Sequence, residues 1–329
     1  MMKLPSPYLA AAVQTAPVFL NPEATIAKAI DWMKTAQSNG AKLIAFPEVF
    51  IAGYPYWNWI MTPVQGSKWF EVLYKSAVSV TDPMLVPLFE AAKQLQMTVV
   101  IGINERGNSL GEIYNTNLII GSDGQLLGKH RKLVPTWAEK LTWTGGDGST
   151  LRVYPTEIGP IGTLACGENT NTLARFSLLA QGELIHVANY ISLPVAPPDY
   201  NMAEAIKIRA AAHSFEGKLF TLVSCSTISD EIKNALIDEA PEIESLFERK
   251  QSAFTGIIGP NGAVMGNPLI DEEGIVYAEI DLNRCIQPKQ MHDILGHYNR
   301  FDIFDLRVNR RAQTNIQFVD SNEDWEKLT

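Results

Sequence analysis

The chain has few cysteines: Cys166, Cys225 and Cys285 are the only three among 329 residues, and they lie far apart. An odd number of widely spaced cysteines predicts neither a disulfide framework nor a cysteine-rich zinc site. We therefore take a reducing, cytoplasmic location as the default expectation.

The sequence also lacks long apolar runs. None approaches the roughly 20 residues that a helix needs to cross a bilayer. The partly apolar stretch 8–20 is interrupted by Gln14, Thr15 and Pro17. Because that stretch has no convincing cleavage site, it predicts a first strand and not a signal peptide.

Basic residues are outnumbered by acidic ones, 27 to 36, which gives a net charge of -9. This balance argues against nucleic acid or an anionic membrane as a partner, since both select basic surfaces. Hydrophobic residues make up 46% of the chain and charged residues 19%, which is typical of a globular protein. The length allows one large domain or two of average size.

Strand and helix patterns alternate in the same order along both halves of the chain. In the first half we predict strands over 9–16, 42–46 and 98–103, helices over 23–37 and 81–96, and a hairpin of 115–120 and 126–129. In the second half we predict strands over 161–166, 184–188 and 219–224, one helix ending at 181 and another over 202–215, and a hairpin of 254–258 and 263–265.

The two hairpins also align without gaps, residues 118–128 on residues 256–266. Asp-Gly and Asn-Gly turns are common, so hairpins can look alike by chance. The shared order of elements nevertheless predicts an α/β fold with two pseudo-symmetric halves: two sheets face to face, each covered by helices, in a four-layer αββα sandwich. We assign residues 1–300 to this one domain and 301–329 to a polar C-terminal tail, either an interface arm or a disordered end.

Cys166 lies where the predicted strand Ile161–Cys166 turns toward a helix. Backbone N–H groups and the positive end of a helix dipole at such a turn would favour a thiolate, which is nucleophilic near neutral pH. The alternative is a small buried hydrophobe at the end of a strand.

A carboxylate follows another buried strand, in Phe46-Pro47-Glu48. Pro47 ends the ladder, so Glu48 projects from the carboxyl end of the strand. Poor solvation between Phe46 and Phe50 would raise the pKa of Glu48 toward that of a useful general base. The alternative is an exposed loop carboxylate.

Four basic side chains, Lys129 to Lys132, follow the first hairpin. A cation beside a thiolate and a carboxylate can stabilise an anionic intermediate, whereas most charge runs are solvated patches. A Cys–His pair through His130 has little support, because the sequence identifies no third group to orient the ring.

These three segments together resemble the Glu–Lys–Cys triad of the carbon–nitrogen hydrolase (nitrilase) superfamily, in order and in spacing. The matching residues are Glu48 in Phe-Pro-Glu, Lys132 in His-Arg-Lys-Leu-Val-Pro-Thr and Cys166 before Gly-Glu-Asn. The resemblance extends from about residue 9 to 282 and implies the same αββα sandwich.

The finer resemblance is to the nitrilase branch. It rests on Phe46–Pro55, on Lys132–Ser149, and on Asn169–Phe176 with Gly296–Arg300. Two features depart from that branch: Gly167 stands where many nitrilases have tryptophan, and Phe301 separates Arg300 from Asp302 in the C-terminal motif. The first departure predicts a difference in substrate preference more than in reaction type.

The resemblance implies a cysteine mechanism in which Glu48 takes the thiol proton, Cys166 attacks a nitrile carbon, and Lys132 stabilises the negative charge on nitrogen. A thioimidate and then a thioester would form, giving a carboxylic acid and ammonia. Glu139 would be the second glutamate of the site, with a surface carboxylate as the alternative. We predict substrate contacts from Tyr54, Gly167, Asn189 and Tyr190, and we expect no metal or cofactor.

Several alternatives stay open. The same scaffold could carry an amidase or a carbamoylase, or release amide as a nitrile hydratase does. A catalytically silent assembly subunit is a further reading, which the intact triad opposes. The resemblance also implies a homo-oligomer, either a dimer or a larger assembly, with a spiral among the options.

Overall fold

The stacking of layers is visible in the first strand of the computed structural model, β1 (Tyr8–Gln14), whose alternate side chains enter two different cores. Ala11 packs on the outer side of its sheet in a cluster with Met33 of a helix. Ala12 packs on the inner side in a cluster with Leu222 of a second sheet. The strand therefore lies between a helical layer and another sheet.

The structure describes residues 4–197 and 199–313. The first sheet contains β1, β2 (Ala41–Ala45), β3 (Thr98–Arg106), β4 (Ile113–Ile120) and β5 (Leu126–Arg131). The second contains β6 (Ile161–Ala165), β7 (Ile185–Tyr190), β8 (Phe220–Cys225), β9 (Phe254–Ile258) and β10 (Val264–Ile270). A last strand, β11 (Gly274–Ile280), returns to the first sheet. The helices are α1 (Pro22–Ser38), α2 (Trp57–Ile60), α3 (Pro63–Ser76), α4 (Val86–Gln94), α5 (Thr172–Leu179), α6 (Met202–Gly217) and α7 (Asp230–Ile237).

The two sheets have the same topology. The strand order is β11-β1-β2-β3-β4-β5 in the first sheet and β10-β9-β8-β7-β6 in the second. In each sheet the first three strands of the repeat are parallel, and the fourth and fifth are antiparallel. Parallel neighbours need a crossover, which the helices between them supply. The predicted pseudo-symmetric halves are confirmed.

Three apolar layers hold the sandwich together. The first sheet packs on α1 and α4, the two sheets pack on each other, and the second sheet packs on α5 and α6. The four-layer αββα prediction is therefore confirmed. The carboxyl ends of the parallel strands of both sheets lead into the loops that carry the candidate site.

Most predicted elements are present with ends that differ by a few residues, but four of the α-helices and strands in the described chain were not predicted: α2, α3, α7 and β11. β11 pairs antiparallel with β1, from Tyr8 opposite Ile280 to Gln14 opposite Gly274. It lies outside the repeat, and its partner strand is distant in sequence. In the predicted helix 81–96, a 3-10 turn over Pro83–Leu85 precedes α4.

Residues 301–313 of the predicted tail are exposed, and several of those from 301 to 310 lie beside α5. A cavity of about 710 Å³ lies there, lined by residues of α5 such as Phe176 and residues of the tail such as Phe304. The backbone N–H of Gln313 donates a hydrogen bond to Asp147 (2.7 Å). The rest of the predicted tail, 314–329, lies outside the described residues. Across the described chain, every helix is too short or too polar to cross a membrane.

Candidate active site

Cys166 directly follows β6 and has a left-handed backbone, with φ of 48°. A side chain in that region is strained, at a typical cost of about 1–3 kcal/mol, and such residues are common at functional sites. A 3-10 helix, Cys166–Thr170, separates the cysteine from α5, which is capped by Asn171. The predicted turn from this strand toward a helix is therefore present.

Glu48 follows β2 in a loop that lies against β3. A Cβ at Gly102 of β3 would be 2.3 Å from the Val49 nitrogen and 2.5 Å from the Pro47 oxygen, so only glycine allows this approach. The Glu48 N–H donates to the Tyr190 carbonyl of the second sheet (3.3 Å). The Glu48 loop is thereby held between the two sheets.

Lys132 follows β5, and its ammonium joins two carboxylates. Its Nζ donates to Glu48 Oε1 (2.9 Å) and to Glu139 Oε2 (2.7 Å), with all three side chains buried. Alternate side chains of the basic run point to opposite faces of the strand. Lys129 and Arg131 lie on the face opposite to Lys132 and pair with Glu105. The alternative of a solvated patch is wrong for Lys132.

Glu139 lies in a short 3-10 helix, Trp137–Leu141, whose cap fixes the carboxylate. The Thr136 N–H donates to Glu139 Oε2 (2.6 Å), and the Tyr54 hydroxyl donates to Oε1 (2.9 Å). Tyr54 in turn accepts a hydrogen bond from the Trp59 indole (2.9 Å). Only 1% of Glu139 is exposed, so the alternative of a surface carboxylate is wrong.

The structure brings the four predicted catalytic side chains together. One ligand atom each of Cys166, Glu48 and Glu139 lies within 4.8 Å of the other two, and Lys132 bridges the carboxylates. Glu48 Oε2 is buried and has no hydrogen-bond partner among the described residues. This free oxygen is suited to accept the proton of the neighbouring thiol.

Burial and charge set the protonation states of this cluster. Burial raises the pKa of Glu48 to about 7, although Lys132 opposes the shift. Burial and the nearby Glu48 also hold the pKa of the Cys166 thiol well above its usual value, with Lys132 only partly compensating. The expected resting thiolate is therefore wrong, because desolvation and the Glu48 and Glu139 carboxylates favour the thiol.

Tyr190 and Gly167, two of the four predicted substrate contacts, lie next to Cys166. Tyr190 packs in the same cluster as Cys166, and its buried hydroxyl has no partner among the described residues. Gly167 follows Cys166, and a Cβ there would lie 3.1 Å from Thr136 Oγ1. Tyr54 binds Glu139, as described above.

Asn189 is fully buried, and its side-chain amide is hydrogen-bonded to other groups of the protein. Its amide oxygen accepts from Asn117 (2.9 Å) and Thr163 (3.1 Å), and its amide nitrogen donates to the Phe46 carbonyl (2.5 Å). These contacts tie the end of β7 to the end of β2, directly before Glu48. The geometry favours a positioning role over the predicted contact with substrate.

One site residue was missed. Asn115 of β4 donates to Glu48 Oε1 (2.7 Å) and, through its carbonyl, accepts from the Lys132 N–H (2.8 Å). The sequence does contain an indication of this role, because Asn115, Asn117 and the threonine between them are polar residues in an otherwise apolar strand. Their role depends on which strands and loops face these side chains in the folded protein. The spacing of residues along the sequence does not give that information.

Two buried groups in the described chain bring three metal-ligand side chains together: Glu48 with Glu139 and Cys166, and Glu183 with His186 and His213. In the first group the Lys132 ammonium already bridges the carboxylates where a cation would bind. In the second, both Glu183 oxygens contact an imidazole nitrogen, at 2.7 Å and 2.9 Å. In both groups the carboxylates thus already have an ammonium or imidazole partner within the protein.

A buried cysteine thus lies beside two carboxylates and a lysine at the strand ends of an αββα sandwich, the arrangement that the sequence resemblance implies. The family model described as carbon-nitrogen hydrolase matches residues 9–290. The chain belongs to this family, the nitrilase superfamily.

Similar proteins cover almost the whole chain. An aliphatic nitrilase of Rhodococcus rhodochrous is 34% identical over 320 residues, 96% of this chain and 86% of the relative. A nitrilase of Paraburkholderia phymatum is 36% identical over 303 residues, 92% of this chain and 86% of the relative. The crystal structure of a carbon-nitrogen hydrolase from Helicobacter pylori G27 superposes with a TM-score of 0.68 at 19% identity, covering 90% of this chain and 97% of that one. This last likeness supports the fold alone.

Proposed function

We propose that the protein is a nitrilase, which hydrolyses a small organic nitrile to a carboxylic acid and ammonia. The observation that carries the proposal is the buried contact set around Cys166, in which Lys132 joins Glu48 and Glu139 (2.9 and 2.7 Å). The similarity to two nitrilases of at least 34% identity supports a nitrile as the substrate.

The first step is attack of sulfur on the nitrile carbon. Glu48, with a pKa near 7, takes the thiol proton through its free Oε2. The new C–S bond forms as one C–N π bond becomes a lone pair on nitrogen. Glu48 returns the proton to that nitrogen, and Lys132 stabilises the developing charge. The product is a neutral thioimidate.

Two waters complete the reaction. The first adds to the thioimidate carbon and gives a tetrahedral intermediate with hydroxyl, amine and sulfur on one carbon. Protonation of the amine lets ammonia leave and forms a thioester. The second water cleaves the C–S bond, which releases the acid and restores the thiol. One nitrile and two waters thus give one acid and one ammonia.

The tetrahedral intermediate can also expel sulfur and release an amide after a single water. The choice depends on which leaving group receives the proton. A carboxylate pair beside one ammonium favours a protonated, cationic amine over a free thiolate. We therefore propose acid as the main product and amide as the minor one.

A panel of aliphatic, aryl and arylacetonitriles, each beside its amide and N-carbamoyl counterpart, tests this proposal. Ammonia, acid and amide are measured for the wild type and for Cys166→Ala. We expect acid and ammonia in equal amounts from at least one nitrile and no turnover by Cys166→Ala. Hydrolysis of amides or N-carbamoyl compounds with every nitrile untouched would replace the proposal by an amidase or a carbamoylase.

We also propose that copies of the chain associate. Apolar side chains gather on the surface of α5 and the tail, where Leu173 is 62% exposed and Phe304 is 66% exposed. Exposed apolar patches of this kind are typical of protein interfaces.

A further inference from the structure

The two residues after Cys166-Gly167 fasten the strained nucleophile turn to the protein. The Glu168 carboxylate accepts from the backbone N–H of Leu133 (2.8 Å) and of Ala165 (3.1 Å). The Asn169 amide nitrogen donates to the carbonyls of Leu164 (3.1 Å) and Cys166 (3.0 Å). Both side chains are buried, and the turn they hold places the sulfur.

A buried histidine contacts each of these two residues. His130 Nε2 lies 2.9 Å from Glu168 Oε2, and its Nδ1 lies 3.2 Å from the Thr150 carbonyl. His186 Nε2 lies 2.8 Å from Asn169 Oδ1, and its Nδ1 lies 2.7 Å from Glu183 Oε1. Each ring therefore has an oxygen opposite both of its nitrogens.

The polarity of these bonds determines where the protons lie. A backbone carbonyl can only accept, and the Asn169 oxygen must face His186, because the reverse orientation would set that oxygen against two carbonyls. Glu168 accepts two backbone hydrogen bonds, and Glu183 contacts two imidazoles. Carboxylates that receive several N–H groups are held in the ionised form. Two acceptors opposite one ring require both ring nitrogens to be protonated.

We propose that His130 and His186 are buried imidazolium ions that position the Cys166 nucleophile, one through Glu168 and the other through Asn169. They touch neither substrate nor sulfur and are positioning residues. The inference rests on the proposed function only in that Cys166 is the nucleophile. Loss of either proton would leave two acceptors facing each other and release one side of the strained turn.

The charged surroundings are consistent with this assignment. Glu168 is the charged group that faces His130. Burial lowers the pKa of His130, but the charge and hydrogen bond of Glu168 outweigh it and hold the pKa above its usual value. The pKa of Glu168 is lowered, since His130 and two backbone N–H groups overcome its burial.

Around His186 the facing groups are Glu183 and His213, with Arg175 of α5 acting on His213. Burial and the neighbouring His186 lower the pKa of His213 to about 4, so His213 is neutral and donates through Nε2 to Glu183. Burial opposes ionisation of Glu183, but His186 and His213 lower its pKa to about 2. A Cβ at Gly162 would lie 2.0 Å from Glu183 Oε1, so only glycine leaves room for this carboxylate.

Nitrogen NMR of the resting enzyme tests the protonation directly, without any nitrile. The chain has five histidines, so single substitutions assign the signals. We expect both ring nitrogens of His130 and His186 to carry protons at neutral pH, and His213 to have one bare nitrogen. A bare ring nitrogen on His130 or His186 at neutral pH would overturn the proposal, whatever the enzyme does to nitriles.

Matched substitutions test the positioning role. Glutamine can place its amide N–H near the position of Nε2, whereas asparagine reaches only the position of Nδ1. We therefore expect His186→Gln and His130→Gln to keep the bond to the nucleophile turn, and the corresponding asparagine variants to lose it. A misplacement of about 1 Å can cost on the order of 100-fold in rate.

Two measurements are made on each variant. One is the rate of Cys166 alkylation by iodoacetamide, with the modified residue located by peptide mass. The other is kcat and KM, determined separately, for nitrile hydrolysis. We expect both asparagine variants to lose about 10- to 100-fold in alkylation rate and in kcat with little change in KM. The glutamine variants should recover most of the rate, and the exposed His297→Asn should match the wild type. Equal alkylation rates in the asparagine, glutamine and wild-type proteins would contradict the proposal. If an asparagine variant does not fold, the NMR result decides.

Discussion

At the scale of single residues, burial raises the pKa of both the Glu48 carboxyl and the Cys166 thiol. The resting pair is therefore a thiol beside a base that titrates near neutrality. In the proposed mechanism, nucleophilicity depends on proton transfer during the attack, and not on a thiolate that exists beforehand. A site of this kind protects the sulfur from oxidation, since the thiolate is the reactive form.

The pH dependence of kcat/KM tests this protonation scheme. Glu48 must be ionised to accept the proton, so the rate should rise with pH through an apparent pKa near 7. The value describes Glu48 together with the Lys132 ammonium that is paired with it. Measurement between about pH 5 and 9 should show this acidic limb. A profile that is flat through neutral pH would contradict the role of Glu48, and Glu48→Gln should remove nearly all activity.

Gly167→Ala tests whether the residue after the nucleophile sets substrate size. The new Cβ would lie 3.1 Å from Thr136 Oγ1, close to the cap that holds Glu139. We expect kcat/KM to fall more for a bulky aryl nitrile than for a small aliphatic one, with the ratio changing about tenfold. Both substrates are measured on the same preparation, so partial inactivation cancels. An unchanged ratio would assign Gly167 no part in selectivity.

At the scale of secondary-structure elements, the short 3-10 helix Trp137–Leu141 carries Glu139 and depends on Tyr54 for its orientation. Tyr54→Phe removes one hydrogen bond to a charged group, worth about 1.5–3 kcal/mol. We expect kcat to fall about 10- to 100-fold with KM nearly unchanged. A rise in KM with kcat unchanged would instead indicate a direct substrate contact.

Tyr56→Phe is the matched control for that variant. Tyr56 is equally buried but donates to the Ser192 carbonyl (2.9 Å) and not to Glu139. Any general loss of stability from removing a buried hydroxyl should appear in both variants. The difference in kcat between them isolates the orientation of Glu139.

The repeated elements could be predicted from sequence because local patterns encode them. Periodicity and Asp-Gly or Asn-Gly turns identified the strands, helices and hairpins of both halves, and with them the sandwich. β11 and the pairing of His130 with Glu168 could not be predicted, since each depends on segments that meet only in the folded chain. The Cys166 thiolate was mispredicted because the turn was judged without the Glu48 and Glu139 carboxylates that surround it.

At the scale of the whole molecule, the sandwich is closed by residues before 300, whereas 301–313 lie on its surface along α5. We predict that a protein ending at Arg300 folds and keeps its triad. Its assembly should be smaller, because the exposed apolar side chains of the tail are absent. Analytical ultracentrifugation measures the assembly, and titration of Cys166 with iodoacetamide checks the site. An unchanged assembly would exclude the tail as an interface arm.

The most direct test of nitrile hydrolysis through Cys166 is the mass of the protein quenched in acid during turnover of a nitrile. We expect an added mass on the Cys166 peptide equal to the thioimidate or the acyl group of that nitrile, no added mass in Cys166→Ala, and release of acid and ammonia in equal amounts. Turnover of the nitrile with Cys166 unmodified, or undiminished turnover by Cys166→Ala, would contradict it.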